Sequence, residues 1–266
     1  MNTPSHLTEP RYVSGHDLLS GKTVVITAAA GAGIGSWAAH RALEEGARAV
    51  VIGDIHQRRL EETASKLGEE FGEEKVAFRL CDVRKEDDIT GLLDAAAGFG
   101  GVDVMINNAG LGGDTSVLEM TDEQWEAVID ITLTGTFRCT RAAGKHMLET
   151  GRGGVIVNNA SVVGWRAQAG QAHYAAAKAG VMALTRASAM DLAPHGIRVN
   201  AVSPSIALHP FLEKVSSPEL LEQLKNQEAF GRAAKPWEIA NIMMFLASDY
   251  SAYMTGEVIS ASSQHP

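Results

Sequence analysis

The sequence predicts one α/β domain built on a doubly wound parallel sheet with helices on both faces. Three observations predict it. Short, nearly continuous apolar runs alternate with longer helical stretches, which is how strands covered on both faces read. The first run ends in a glycine-rich turn that opens into a helix. No linker composition interrupts the alternation after residue 20, so the 266 residues read as one unit rather than two. Strand–helix–strand repeats require right-handed crossovers, and these wind the sheet.

Residues 1–20 are polar, contain Pro4, Pro10 and Gly15, and read as a loose arm ahead of a domain spanning 21–266. Seven strands follow: KTVVIT (22–27), ARAVVI (47–52), KVAFRL (75–80), VDVMIN (102–107), GVIVNN (154–159), IRVNAV (197–202) and a short EVIS (257–260). Each is too short for a helix. Helical patterns fill 34–46, 56–70, 86–97, 122–149, 172–193 and 236–248. Residues 205–232 break the rhythm: the stretch carries Pro210 and Pro218 and is helical only near 218–228. An irregular insertion at the carboxyl end of a strand is where a substrate lid sits; a surface excursion without function is the alternative.

Composition narrows the function. Lys plus Arg number 23 and Asp plus Glu 32, a formal charge of −9, which opposes phosphate backbones and sets nucleic acid aside as a partner. Cys81 and Cys139 are too few for a disulfide framework or a zinc site and read as small buried residues. No apolar run approaches the about 18 residues of a membrane span, and MNTPSHLTEPRYVSGHD lacks the apolar core of an export signal. The expectation is a cytoplasmic protein without a membrane partner. No His, Asp or Glu cluster has metal-ligand spacing, so no metal is expected.

The first strand ends in Thr27-Ala28-Ala29-Ala30-Gly31-Ala32-Gly33-Ile34-Gly35. Glycines here permit a tight turn, a close approach to a pyrophosphate and close helix–strand packing. The helix that follows offers free N–H groups and the positive end of its dipole. Thr27, Ala29, Gly31, Gly33, Ile34 and Gly35 are therefore candidates for holding a dinucleotide. Asp54 ends the second strand, about 20 residues further on, where a carboxylate can bind an adenosine ribose and repel a 2′-phosphate. The turn itself carries no Lys or Arg. NAD is expected over NADP, with Arg58 and Arg59 as the residues that could reverse this. Capping of the next helix is a second use for Asp54.

Ser161 precedes Tyr174, and Tyr174 precedes Lys178 by four residues. Positions i and i+4 share a helix face, so Lys178 lies beside the phenol. A phenol with a pKa near 10 is a poor base at neutral pH, and a neighbouring ammonium lowers that value. Such a tyrosine exchanges a proton with a carbinol or carbonyl oxygen. Ser161, ending the fifth strand, can hydrogen-bond the same oxygen while a nicotinamide exchanges the hydride.

Together these residues resemble the short-chain dehydrogenase/reductase family over residues 21–261. The resemblance rests on the turn at 27–35, Cys81-Asp82-Val83, Asn107-Asn108-Ala109-Gly110, Ser161, Tyr174-Ala175-Ala176-Ala177-Lys178 and Asn200-Ala201-Val202-Ser203-Pro204. It implies a seven-stranded Rossmann-type sheet and a homo-oligomer, dimer or tetramer, assembled through the long helices. By resemblance Asp82 and Val83 contact adenine, Asn108, Ala109 and Gly110 border the cofactor, Pro204 and Ile206 flank it, and Tyr174 and Lys178 also contact it. Departures are informative. Ala28 stands where the family has Gly, and the turn is one residue longer. The family's fourth catalytic residue, an Asn, aligns with Thr132, which puts the associated proton relay in doubt. Pro204-Ser205 replaces Pro-Gly, no Thr near Leu208 and His209 matches the family's carboxamide contact, and the tail lacks Gly-Gly.

More narrowly, TAAAGAGIG, NNASVVGWRAQ, SPSIA and GEVIS…QHP resemble an actinobacterial subgroup associated with degradation of steroid C and D rings on CoA-linked indene carboxylates. This implies a bulky cyclic, CoA-linked ketone or alcohol. A 3-oxoacyl thioester reductase is the alternative, and a dinucleotide-binding scaffold with little catalysis is the alternative of another class. Trp165, Arg166 and Gln168 follow Ser161 and are expected to border the substrate. Trp165 could wall a ring system, and Arg166 could meet a carboxylate, a thioester or a CoA phosphate, or instead make a structural salt bridge. His209, with Phe211 and Leu212, lies in the lid and suits an apolar ligand. His173 reads as structural.

Overall fold

In the computed structural model, which describes residues 10–215 and 218–264, the seven runs form β1 (Thr23–Thr27), β2 (Ala49–Asp54), β3 (Val76–Leu80), β4 (Val104–Asn107), β5 (Gly154–Asn159), β6 (Ile197–Pro204) and β7 (Val258–Ala261). They pair in the order β3-β2-β1-β4-β5-β6-β7, all parallel. The order reverses between β1 and β4, which opens a crevice at their carboxyl ends.

Side chains alternate across the sheet, and both sets are buried. Val24, Ile26, Val50, Ile52, Val104 and Ile106 face one layer, formed by helices α1 (Ile34–Glu44), α2 (Gln57–Phe71) and α9 (Pro236–Ala247). Val25, Val51, Met105, Ile156 and Val199 face the other, formed by α3 (Glu86–Asp94), α5 (Gly135–Thr150) and α6 (Ala172–Leu192). Two-sided burial explains the continuous apolar runs. The edge strands are less covered: Phe78 and Leu80 of β3 are exposed, and β7 is only partly buried.

Three features depart from the sequence expectation. The long helix expected over 122–149 is divided into α4 (Asp122–Ile129), a π-helical turn over Asp130–Thr134, and α5. The insertion at 205–232 holds two short helices, α7 (Pro210–Val215) and α8 (Pro218–Asn226). It is fastened at both ends, with Leu208 N donating to Ala234 O at 2.9 Å and Ala234 N to Ile206 O at 2.8 Å, around an apolar cluster of Ile206, Leu221 and Ala233. The Phe211 side chain and His265–Pro266 lie outside the described residues.

The arm expected over 1–20 is docked from Pro10 onward; residues 1–9 lie outside the described residues. Tyr12 sets its ring edge-on to Trp237 at 5.1 Å, and Arg41 donates to Val13 O at 2.7 Å. Glu45 accepts from His16 N and Leu18 N, and Leu19 is fully buried. Apolar and charged anchors between polar residues hold this segment, and a compositional reading averages them away. Cys81 and Cys139 are free and buried, and burial pushes the Cys81 thiol up to about 12.

Candidate active site

The crevice begins at the turn after β1. Ala28 takes a left-handed backbone, φ +52°, where the related pattern has Gly. Gly35 sits so close to the turn that a Cβ there would stand 2.3 Å from Ala28 O and 2.5 Å from Asn108 Nδ2. By contrast a Cβ on Gly31 or Gly33 would meet nothing within 4 Å, so open space lies over the turn. Helix α1 starts at Gly33 with no side-chain cap and no acidic residue in its first turn. Its first N–H groups therefore face that space, an arrangement suited to a pyrophosphate. The residues present fit a dinucleotide.

Asp54 stands beside the turn. Its Oδ2 accepts from Ala30 N at 3.1 Å and its Oδ1 from His56 N at 2.9 Å. A carboxylate has about four acceptor positions, so two backbone bonds leave room for a ribose hydroxyl. Asp54 does not cap the next helix, whose N-cap is His56 without a side-chain cap bond; it shapes the turn instead. Arg58 is exposed and paired with Glu62 at 3.0 Å, so it is turned along its own helix. Asp82 is gripped by the Arg84 guanidinium at 2.6–3.1 Å, which holds its carboxyl below the usual range. Val83 is buried and wedges against Gly135.

Two expected cofactor residues serve the scaffold through their side chains. Thr27 Oγ1 accepts from Asn108 N and Ala109 N, each at 3.1 Å. Asn108 Nδ2 donates to Thr27 O and Ala28 O, while its Oδ1 accepts from Asn159 Nδ2 at 2.9 Å. The ends of β1, β4 and β5 are thereby stitched together, and the crevice keeps its shape. Ala29 and Ile206 are buried. Pro204 ends β6, and Gly110 lies close enough to Lys178 that a Cβ would sit 3.4 Å from Nζ.

Ser161 lies two residues past β5 and caps the 3-10 turn Val162–Gly164, and Tyr174 and Lys178 lie one turn apart on α6. Ser161 lies close enough to Tyr174 for its hydroxyl to pull the phenol's pKa down. Lys178 Nζ donates to Asn159 O at 2.5 Å and lies 5.6 Å from the centre of the Tyr174 ring. Burial pushes the Lys178 ammonium down to about 8. It also holds the Tyr174 phenol above its ordinary value, against the weaker opposing pull of the nearby Ser161 hydroxyl. This corrects the expectation of a phenol acidified by its neighbour. The ammonium is directed at the Asn159 carbonyl and is itself desolvated, so the phenol keeps its proton.

Thr132 calls for a second correction. It is fully buried in the π-helical turn. Its Oγ1 accepts from Leu111 N at 2.9 Å and donates to Leu111 O at 3.0 Å. With its one proton so committed, the hydroxyl fixes the loop after β4 beside Gly110, which also borders Lys178. A π-helical turn inside an α-helix is a recurrent mark of functional sites.

On the substrate side, Trp165 is about half exposed at 49%. Arg166 makes no salt bridge among the described residues. Its Nη1 donates to Gln264 Oε1 instead. Gln168 O accepts from Gln171 N at 3.3 Å. His209 Nδ1 accepts from Leu212 N at 3.4 Å, capping α7, and burial lowers its imidazole. His173 is buried, with Nδ1 accepting from Tyr174 N at 2.9 Å, a structural role. Sequence reasoning missed Asn159, Leu111, Glu228 and Gln264, whose roles arise from long-range contacts.

The comparisons agree with this geometry. A family model described as Enoyl-(Acyl carrier protein) reductase matches residues 28–263. The chain is 59% identical to the (5R,7aS)-5-hydroxy-7a-methyl-1-oxo-2,3,5,6,7,7a-hexahydro-1H-indene-carboxyl-CoA reductase of Mycobacterium tuberculosis, over 97% of this chain and 98% of that one. It is 38% identical to a 3-oxoacyl-[acyl-carrier-protein] reductase of Thermotoga maritima, over 91% and 96%. The crystal structure of a short chain dehydrogenase from Mycobacterium smegmatis superposes with a TM-score of 0.86 at 52% identity, covering 98% of this chain and all of that one. A glycine turn opening onto an uncapped helix, and a serine, a tyrosine and a buried lysine gathered beside it, thus stand on a shared fold, and this chain belongs to the short-chain dehydrogenase/reductase family of nicotinamide-dependent oxidoreductases.

Proposed function

We propose that the protein is an NAD-dependent reductase of a ring ketone on a bulky CoA-linked substrate, such as an intermediate of steroid-ring degradation, run in either direction by supply. Ser161 near the Tyr174 phenol, with Lys178 Nζ 5.6 Å from the centre of the same ring, carries the reading. When bound, the nicotinamide supplies the hydride. Tyr174, holding its proton, gives it to the carbonyl oxygen, and Ser161 donates a hydrogen bond to that oxygen. Lys178 keeps positive charge beside the phenol as it loses its proton. The M. tuberculosis relative's name supports the substrate class, and Asp54 beside the turn supports NAD over NADP. Residues 21–266 act as one catalytic domain, in the cytoplasm where acyl-CoA esters and NAD meet, assembled as a dimer or tetramer. Among the described residues no helix is long and apolar enough to cross a membrane.

A 3-oxoacyl thioester reductase is the second reading, favoured by the T. maritima relative. The two separate on a substrate panel: turnover with NADH should be fastest on a bicyclic CoA ketone and slower on a linear 3-oxoacyl-CoA. Tyr174→Phe should lower turnover by about 10²–10⁴ while NADH still binds. Wild-type turnover in that variant would refute the proton-transfer role, and NADH binding with no turnover on any ketone would favour a scaffold.

A further inference from the structure

Behind the substrate loop lies a carboxylate satisfied by neutral donors. Glu228, just past α8, is 5% exposed. Its Oε2 accepts from Ser263 N at 3.1 Å and Ser263 Oγ at 2.7 Å, and its Oε1 from Gln264 Nε2 at 2.8 Å. Ala229 N donates to Ser263 O at 3.0 Å. The other end of the Gln264 amide accepts from Arg166 Nη1. One amide therefore stands between a guanidinium and a buried carboxylate, each without an ion-pair partner among the described residues. The opposite charges at its two ends fix which way the amide points.

The three segments have different origins. Arg166 lies five residues past Ser161, in the loop leading to α6. Glu228 closes the lid insertion. Gln264 belongs to the tail after β7. The tail thus fastens the lid to the loop that carries a catalytic hydroxyl. Arg166 is half-buried; among the described residues its charge faces only a neutral acceptor, and Nη2 and Nε have no hydrogen-bond partner there. A planar guanidinium with two such donors matches an oxyanion.

We propose that Gln264 is a positioning residue for substrate, aiming the remaining donors of Arg166 at an oxyanion of the substrate and holding the lid against the Ser161 loop. The proposal rests on the ketone-reductase reading above. The oxyanion is a CoA phosphate, because the ring carboxyl carries no charge once it is joined to CoA as the thioester; the free keto acid is the control.

Steady-state kinetics with NADH would compare a CoA thioester ketone, the corresponding free keto acid and a neutral cyclic ketone for wild type, Gln264→Ala and Arg166→Ala. Both variants should raise KM for the CoA thioester at least 10-fold more than for the neutral ketone, with Gln264→Ala moving KM far more than kcat. A loss confined to the thioester supports the phosphate contact, and a loss as large for the keto acid, which has no phosphate, would overturn it. Equal effects on neutral and charged substrates would overturn the proposal. Amide hydrogen exchange gives a readout independent of turnover. Exchange over 205–232 should accelerate at least 5-fold in Gln264→Ala, with β1 and β4 unchanged, and an unchanged lid overturns the clasp. A wild type that reduces none of the ketones would refute the reductase reading, and the exchange result would still decide the clasp.

Discussion

Lys178 shows how one residue links stability to chemistry. Its ammonium is buried, and its proton affinity falls from the ordinary 10.5 to about 8. Below pH 8 both folded and unfolded chains carry the charge, and the fold bears the full cost of burying it. Between 8 and 10.5 the unfolded chain holds a proton that the fold has released, so this group stabilises the protein as pH rises across that window. Lys178→Met removes the buried charge. It should raise the melting temperature at pH 7 by roughly 2–4 °C, the shift expected for about 1 kcal/mol at this size, while turnover collapses. Calorimetry checks this, and an unchanged or lower midpoint would show that the bond to Asn159 outweighs the desolvation. In ketone reduction kcat/KM should decline as pH rises through about 8, as the ammonium is lost, while Tyr174, raised above its ordinary range, stays protonated. Asp54 couples two roles in the same way. Because Ala30 N and His56 N both depend on it, Asp54→Ala should weaken NADH and NADPH together. Asp54→Asn keeps an acceptor and loses the charge, so it should narrow the preference for NADH about 10-fold by fluorescence titration. An unchanged ratio of dissociation constants would show that the ribose lies elsewhere.

At the scale of elements, the π-helical turn between α4 and α5 connects packing to the site. The turn places Thr132 against Leu111, and the pair of bonds holds the loop that leads from β4 past Lys178. Thr132→Val keeps the shape but leaves the Leu111 N–H and C=O without partners, at a cost of about 1–3 kcal/mol. It should also lower turnover, and Thr132→Ser should restore most of both. Denaturant titration and initial rates check the pair, and a Val variant as stable and active as wild type would remove Thr132 from the positioning role. This turn was hidden in the sequence, because Asp-Ile-Thr-Leu-Thr-Gly fits a helix period as well as a break. The strands were legible because both faces of the sheet are buried, which leaves a run of Val and Ile such as Val24–Ile26 in place of alternation. Ser161, Tyr174 and Lys178 were legible because strand end and helix spacing alone bring them together. Glu228 and Gln264 were not, since their contacts span 36 and 98 residues and no local pattern marks them. The direction of the Tyr174 shift was misread for a related reason: i,i+4 spacing shows that Lys178 is near, but not that its ammonium turns to a carbonyl of β5.

The whole molecule buries its sheet between two helical layers, yet one layer carries apolar side chains outward. Trp125 on α4, Phe137 and Leu148 on α5 and Met190 on α6 are exposed, Met190 at 75%. Helices α4, α5 and α6 belong to the same side of the sheet, so these side chains sit on neighbouring rods rather than scattered over the surface. Large apolar groups gathered on adjacent helices are a feature of surfaces that associate. A second copy of the chain is the partner that the family's habit and the repeated long helices favour, and a two-fold contact would let each residue meet its own equivalent. The protein should therefore run as a dimer or tetramer in size-exclusion chromatography with light scattering. Introducing Phe137→Glu with Leu148→Glu puts two carboxylates per chain into that contact, which should shift the mass toward a smaller species. Both positions point away from the core, so circular dichroism and NADH binding should be retained. A wild type of monomer mass at micromolar concentration would refute the assembly. A double variant with unchanged mass would move the contact to another face, where Tyr250 and Tyr253 are also exposed.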